Sequence, residues 1–115
     1  MTLEGIPVLD KLSALERLDG DDQLYREIVA VFTEDVPGEL DVLEKAIASN
    51  DRVVIERQAH SLKSASANIG AETMRIVCLQ TEKAAKTESA ENLMTLVASI
   101  RNEFQRLQGY LKHSA

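Results

Sequence analysis

The 115-residue chain has no tryptophan, only two tyrosines and two phenylalanines, two prolines and a single cysteine. Aromatics at 3% leave no platform on which nucleic-acid bases could stack, and a formal net charge of −6 works against nucleic acid and anionic membrane surfaces alike. One cysteine, Cys78, rules out an intrachain disulfide and suits a reducing compartment, so a cytoplasmic location is expected. No apolar run approaches the roughly 20 residues that cross a bilayer, so no membrane insertion is expected. The opening MTLEGIPVLD lacks the basic and apolar regions of a signal peptide, and the chain reads as soluble and unprocessed. Two histidines, His60 and His113, without a pair at helical spacing, offer no zinc pattern, and no metal or other cofactor is expected on this chain. Nothing matches a P-loop, a glycine-rich nucleotide loop or a cluster of Mg²⁺ carboxylates beside one, which excludes ATP binding and self-phosphorylation.

Hydrophobic residues make up 44% of the chain, enough for one core in a single domain over 1–115. Val8, Leu12, Leu15 and Leu18 fall at helical spacing, and Asp19-Gly20-Asp21 then supplies a stop and a fresh cap. Leu24, Ile28, Val31 and Phe32 carry the next apolar stripe to Val36-Pro37-Gly38, where Pro37 either kinks the helix or starts another. Leu40, Leu43 and Ile47 continue it to Ser49-Asn50-Asp51. A segment from about Asp51 keeps its period to Ile69 and ends at Gly70, a helix terminator that needs positive φ. Met74, Cys78, Thr81 and Ala85 share one face of Ala71–Thr87, and Met94, like Met74, reads as core packing. Leu93, Val97, Ile100, Phe104, Leu107 and Leu111 alternate four and three apart, a bundle seam, before a tail from Lys112 that reads as frayed. No segment alternates with period two. The pattern predicts an all-α protein, an up-and-down four-helix bundle with one or two short additional N-terminal helices.

On the segment 51–69 the core stripe runs through Ile55, Ala59, Leu62, Ser66 and Ile69 at about 100° per residue, which leaves His60 well off it. Around His60 on the helix surface sit Glu56 and Arg57 one turn before, Lys63 and Ser64 one turn after, and Ala67 two turns after. Small residues beside the ring leave it open to a partner's active site, where a merely solvated face would carry long charged chains. Neutral imidazole is well populated near neutral pH and offers a lone pair for attack on phosphorus, and Lys63 can set positive charge beside the incoming oxygens. A helical His with a Lys three residues on is by itself no more than a solvated pair. Cys78, on an apolar stripe, reads as a small core residue. The acidic surplus of the N-terminal half reads as solvated faces and caps.

The run Ala59-His60-Ser61-Leu62-Lys63-Ser64-Ala65-Ser66-Ala67-Asn68-Ile69-Gly70-Ala71 closely resembles the signature of histidine-containing phosphotransfer (HPt) domains. The likeness in length, helix count and placement of this run extends over most of the chain. It implies phosphorylation of His60, assistance from Lys63, and close docking of a response-regulator receiver domain over Ser64; Arg57 and Ala67, by their place around His60 on the helix surface, are further candidates for docking. Ser64 departs from the commoner glycine yet stays small. The family often bonds the accepting ring from the following helix; Glu82 fits that position, Gln80 less well, and an ordinary exposed Glu82 is an equal alternative. Such a bond would fix the tautomer and leave the other nitrogen as nucleophile. By the resemblance, the phosphoryl group arrives from an Asp-phosphorylated receiver, such as that of a hybrid sensor histidine kinase, and passes to a response regulator. Mg²⁺ is then expected on the receiver, and this chain is a monomeric carrier rather than an enzyme. The rival readings are a helical adaptor that binds a receiver or kinase without being phosphorylated, and an accepting domain of a chemotaxis-type kinase.

Overall fold

The computed structural model describes residues 3–113, which form five α-helices: α1 (Lys11–Arg17), α2 (Asp22–Ala48), α3 (Arg52–Ile69), α4 (Glu72–Ala84) and α5 (Ala90–His113). Among the described residues there is no strand. Three aspartates start helices by accepting orphan amide protons. Asp10 takes Ser13 N at 3.2 Å, Asp21 takes Leu24 N at 3.0 Å, and Asp51 takes Val54 N at 3.3 Å. The turn before α2 runs through Asp19 and Gly20, both at positive φ, and Asn50 does the same before α3.

Helices α2 to α5 make the bundle, with α3 packed against α4 and α2, and α5 closing the other side against the same two. Short connections and end-to-end contacts make the neighbours antiparallel. Tyr25, near the start of α2, donates its hydroxyl to Ile69 O at the end of α3 at 2.8 Å, and Arg52 at the start of α3 donates to Ala85 O beyond the end of α4 at 3.0 Å. Arg101 of α5 reaches across to Glu44 (2.8 Å from Nε) and Asp41 (3.1 Å) of α2. Helix α1 lies over α3 and α2.

The expected α3 stripe is the buried one: Ile55, Ala59, Leu62, Ser66 and Ile69 are all buried. The seam of α5 is buried from Leu93 to Leu107, with Leu111 partly so. That contact keeps the last turn helical, so α5 runs through His113 where a frayed tail was expected; Ser114 and Ala115 lie outside the described residues. Pro37 sits inside a continuous α2 on its exposed side, so it neither breaks the helix nor starts another. Three readings are corrected. Leu12 stands 71% exposed, because Ala14 is the α1 residue that is buried. Leu24 and Val31 are exposed on α2, whose core stripe is Tyr25, Phe32 and Val36. Met94 is exposed, flanking the seam instead of joining it.

Cys78 is completely buried on α4, and burial pushes its thiol up to about 12. A thiol-specific disulfide reagent at neutral pH is therefore expected to leave the native protein unlabelled and to react at a rate set by unfolding. Rapid stoichiometric labelling without denaturant would show that this part of the core opens locally.

Candidate functional site: a histidine bridged to the next helix

Between Ile69 and Glu72 the chain turns through Gly70-Ala71 alone, so α3 and α4 form a tight antiparallel hairpin. Residues at similar distances from that turn face one another. His60 and Glu82 are such a pair, and so are Glu56 and Lys86, whose ionic groups lie 3.4 Å apart. Gly70 sits at φ +81 and its amide bonds Ala67 O at 3.2 Å, while the Ala71 amide bonds Ser66 O at 2.9 Å, closing the helix in a left-handed cap. Carbonyls at this end of α3 also accept from the N-terminal region: Arg17 adds a second donor to Ala67 O at 2.6 Å, Tyr25 donates to Ile69 O, and the Asp10 amide to Gly70 O just past the helix at 2.7 Å.

At the site itself, His60 Nδ1 lies 2.8 Å from Glu82 Oε2, and Lys63 Nζ donates to the other oxygen, Oε1, at 2.7 Å. One carboxylate of α4 thus bridges both side chains singled out on α3. The charge on Glu82 makes it an acceptor from both sides, which assigns the ring proton to Nδ1 and leaves the lone pair on Nε2. The His60 side chain is 59% exposed, so that nitrogen is open to a large partner, whereas Glu82 is 21% exposed and Lys63 24%. Lys63, by its hydrogen bond, followed by the bond from His60, holds the Glu82 carboxyl below its ordinary value of 4.5 against the opposing effect of burial. The stabilisation from this bridge is therefore present above 4.5 and is lost only as the pH falls through the depressed folded value.

Ser64 and Arg57 are exposed on the same outward face as His60, and Ala67 is half-buried beside the Arg17 contact. His60, Lys63 and Glu82 are brought into one cluster; Arg57, Ser64 and Ala67 border it along α3 without joining its hydrogen bonds as given by those contacts. Arg17 was not singled out from the sequence, since its acceptor is a backbone carbonyl, which leaves no trace in residue type. Among the described residues no group of three or more His, Cys, Asp and Glu side chains could hold a metal ion, and no helix is long and apolar enough to cross a membrane.

A family model described as the Hpt domain matches residues 27–110. Histidine-containing phosphotransfer protein 2 of Oryza sativa subsp. japonica is 26% identical over 102 residues, covering 85% of this chain and 67% of that protein. In fold the chain is similar to the crystal structure of histidine-containing phosphotransfer protein B from Pseudomonas aeruginosa, with a TM-score of 0.82 at 23% identity over 96% of each chain. It is also similar to the HPT domain from an Hpt sensor hybrid histidine kinase of Shewanella, with a TM-score of 0.76 at 20% identity, over 93% of this chain and 92% of that one.

Proposed function

The chain belongs to the Hpt domain family and acts in histidine phosphotransfer within phosphorelays, and on that premise we propose that Nε2 of His60 is the atom that carries the phosphoryl group. The observation that supports this assignment is the Glu82 bridge, which presents an exposed ring with its proton on Nδ1 and its lone pair on Nε2. In the step proposed, that lone pair attacks the phosphorus of an aspartyl phosphate on a receiver domain. The N–P bond forms as the P–O bond to the partner's carboxylate breaks. Lys63, within one turn of His60, brings a cation to the phosphoryl oxygens as charge builds on them. Mg²⁺ belongs to the receiver in this reading, and the chain supplies neither a nucleotide site nor kinase activity; it is a carrier and a substrate.

Donors and acceptors are receiver domains, with a hybrid sensor histidine kinase upstream and a response regulator downstream, and the chain works as a cytoplasmic monomer. Docking is assigned to the outward face of α3. Its N-terminal half carries Glu56 and Arg57, but beyond His60 the side chains are short at Ser64 and Ala67. A groove between α3 and α2, lined by Ile28, Val31, Phe32, Val36 and Ala65 together with the polar side chains of Asp35, Glu39 and Asn68, adjoins that short-chain half. Central desolvation over such a surface favours a protein partner.

Ser64→Tyr tests the docking and the acceptor together. Because Ser64 is exposed and far from the α3 core stripe, the variant is expected to keep its helicity. It should lose transfer from a phosphorylated receiver by roughly a hundredfold or more, the size expected when a hot-spot contact is blocked. Phosphoramidate, a small donor, should still label His60 at the wild-type rate. Unimpaired receiver transfer would place the docking surface elsewhere.

A further inference from the structure

The groove between α2 and α3 holds two charges that the folded chain leaves unopposed. Asp35 and Glu39 stand four residues apart on α2, so their carboxylates share one helix face, where like charges repel. That face lines the groove beside Ile28, Val31, Phe32 and Ala65. Other carboxylates of α2 have cations: Asp22 meets Lys11 and Arg26, and Arg101 spans Asp41 and Glu44. Among the described residues neither Asp35 nor Glu39 is in an ion pair. Burial, followed by the charge of Asp35, holds the Glu39 carboxyl above its ordinary value of 4.5. A raised folded value means that the ionised group opposes folding, an opposition absent below 4.5 and complete above the folded value.

The groove lies where a partner of His60 must cover it. Ala65 and Asn68 follow His60 by five and eight residues, about 8 and 12 Å along the helix at about 1.5 Å per residue. Both line the flank of α3 that faces α2, whereas Lys63 reaches the other way, to Glu82 of α4. A stable protein interface hides about 800 Å² on each partner, a patch of roughly 16 Å radius. Centred on His60, such a patch takes in the groove.

Covering the two carboxylates strips them of water, and the loss is offset only by an opposite charge that the partner brings. An apolar protrusion would leave both charges dry, and an acidic one would add repulsion. A lysine or arginine suits both halves of the lining, since its alkyl stem can pack along Ile28 and Val31 while its charged head meets the carboxylates. The net charge of −6 draws a basic partner surface in the same sense. Resting on the reading that a receiver domain docks over His60, we propose that Asp35 and Glu39 are specificity-determining residues, selecting receivers whose docking surface sets a lysine or arginine side chain into this groove.

The test times transfer from an Asp-phosphorylated, Mg²⁺-loaded receiver domain to wild type and to the double variant Asp35→Asn, Glu39→Gln, as a function of receiver and salt concentration. The double variant should raise KM about tenfold, the size of one charge-assisted contact, with kcat unchanged and the rise of KM with salt flattened. Its melting temperature should increase by about 2 °C, because a repelling pair is removed, and phosphoramidate should still label His60 at the wild-type rate. A weakened fold or a damaged acceptor would not give that pattern. Glu39→Lys should lower kcat/KM about a hundredfold, and changing one lysine or arginine of the receiver to glutamate should restore it. Unchanged KM and salt dependence in the double variant, or no receiver change that rescues Glu39→Lys, would overturn the inference with docking over His60 intact. Wild type that accepts from phosphoramidate and from no receiver domain would overturn the docking reading on which it rests.

Discussion

His60→Gln is expected to take up no phosphoryl group from either a receiver domain or phosphoramidate, while its helicity is unchanged and its stability moves by no more than about 1 kcal/mol. The two halves of that expectation have separate physical origins. Glutamine has no ring nitrogen with a free lone pair, so no N–P bond of the proposed kind can form. Yet glutamine has good helix propensity, and the replaced side chain is 59% exposed and contributes no packing to the stripe of Ile55, Leu62 and Ile69. What the fold loses is one hydrogen bond to Glu82, which still holds Lys63. Residual labelling of the variant at the wild-type rate would move the acceptor to another side chain. A collapse of the fold would mean that the bridge between α3 and α4 is structural first.

The largest effect on stability is expected from Gly70→Ala. Gly70 occupies φ +81, where an alanine costs about 1–2 kcal/mol. A β-carbon there would also stand 2.2 Å from Asp10 O and 2.8 Å from Asp10 C. Both are backbone atoms, so the segment before α1 has to move, and the 2.7 Å bond from the Asp10 amide to Gly70 O goes with it. Together these losses should reach about 3 kcal/mol or more, a drop in melting temperature on the order of 10 °C. Gly38→Ala is the control. That glycine lies inside α2, a β-carbon on it would meet nothing within 4 Å, and the change should stabilise by up to about 1 kcal/mol. Equal melting temperatures for the two variants would show that the contact between Asp10 and Gly70 is not formed in solution.

What could be read from the sequence was whatever rests on period and punctuation. The α3 stripe is complete because five core positions at helical spacing admit one buried face, and Asp21, Asp51 and Gly70 mark their helix ends by residue type. The first half of α2 was misread because apolar residues there outnumber the positions one face can bury. Leu24 and Val31 lose to Tyr25, whose hydroxyl finds Ile69 O, a partner that hydrophobicity alone does not weigh. His60, Lys63 and Ser64 stood out through the motif. Glu82 remained an even choice between ring partner and solvated carboxylate, and the tight Gly70-Ala71 turn decides it by setting the register of α4 on α3. That signal was present in the near-equal distances of His60 and Glu82 from the turn. The hold of Arg17 on Ala67 O spans fifty positions and depends on how α1 lies over α3, which nothing local encodes.

The acceptor role of His60 is tested most directly by incubating the wild-type chain with an Asp-phosphorylated receiver domain and Mg²⁺, without ATP, and locating the label. The expected result is a single acid-labile, base-stable phosphoryl group on the peptide that contains His60, with ³¹P NMR of the intact protein placing it on Nε2. Label on any other residue, or label acquired from ATP by the chain alone, would contradict it.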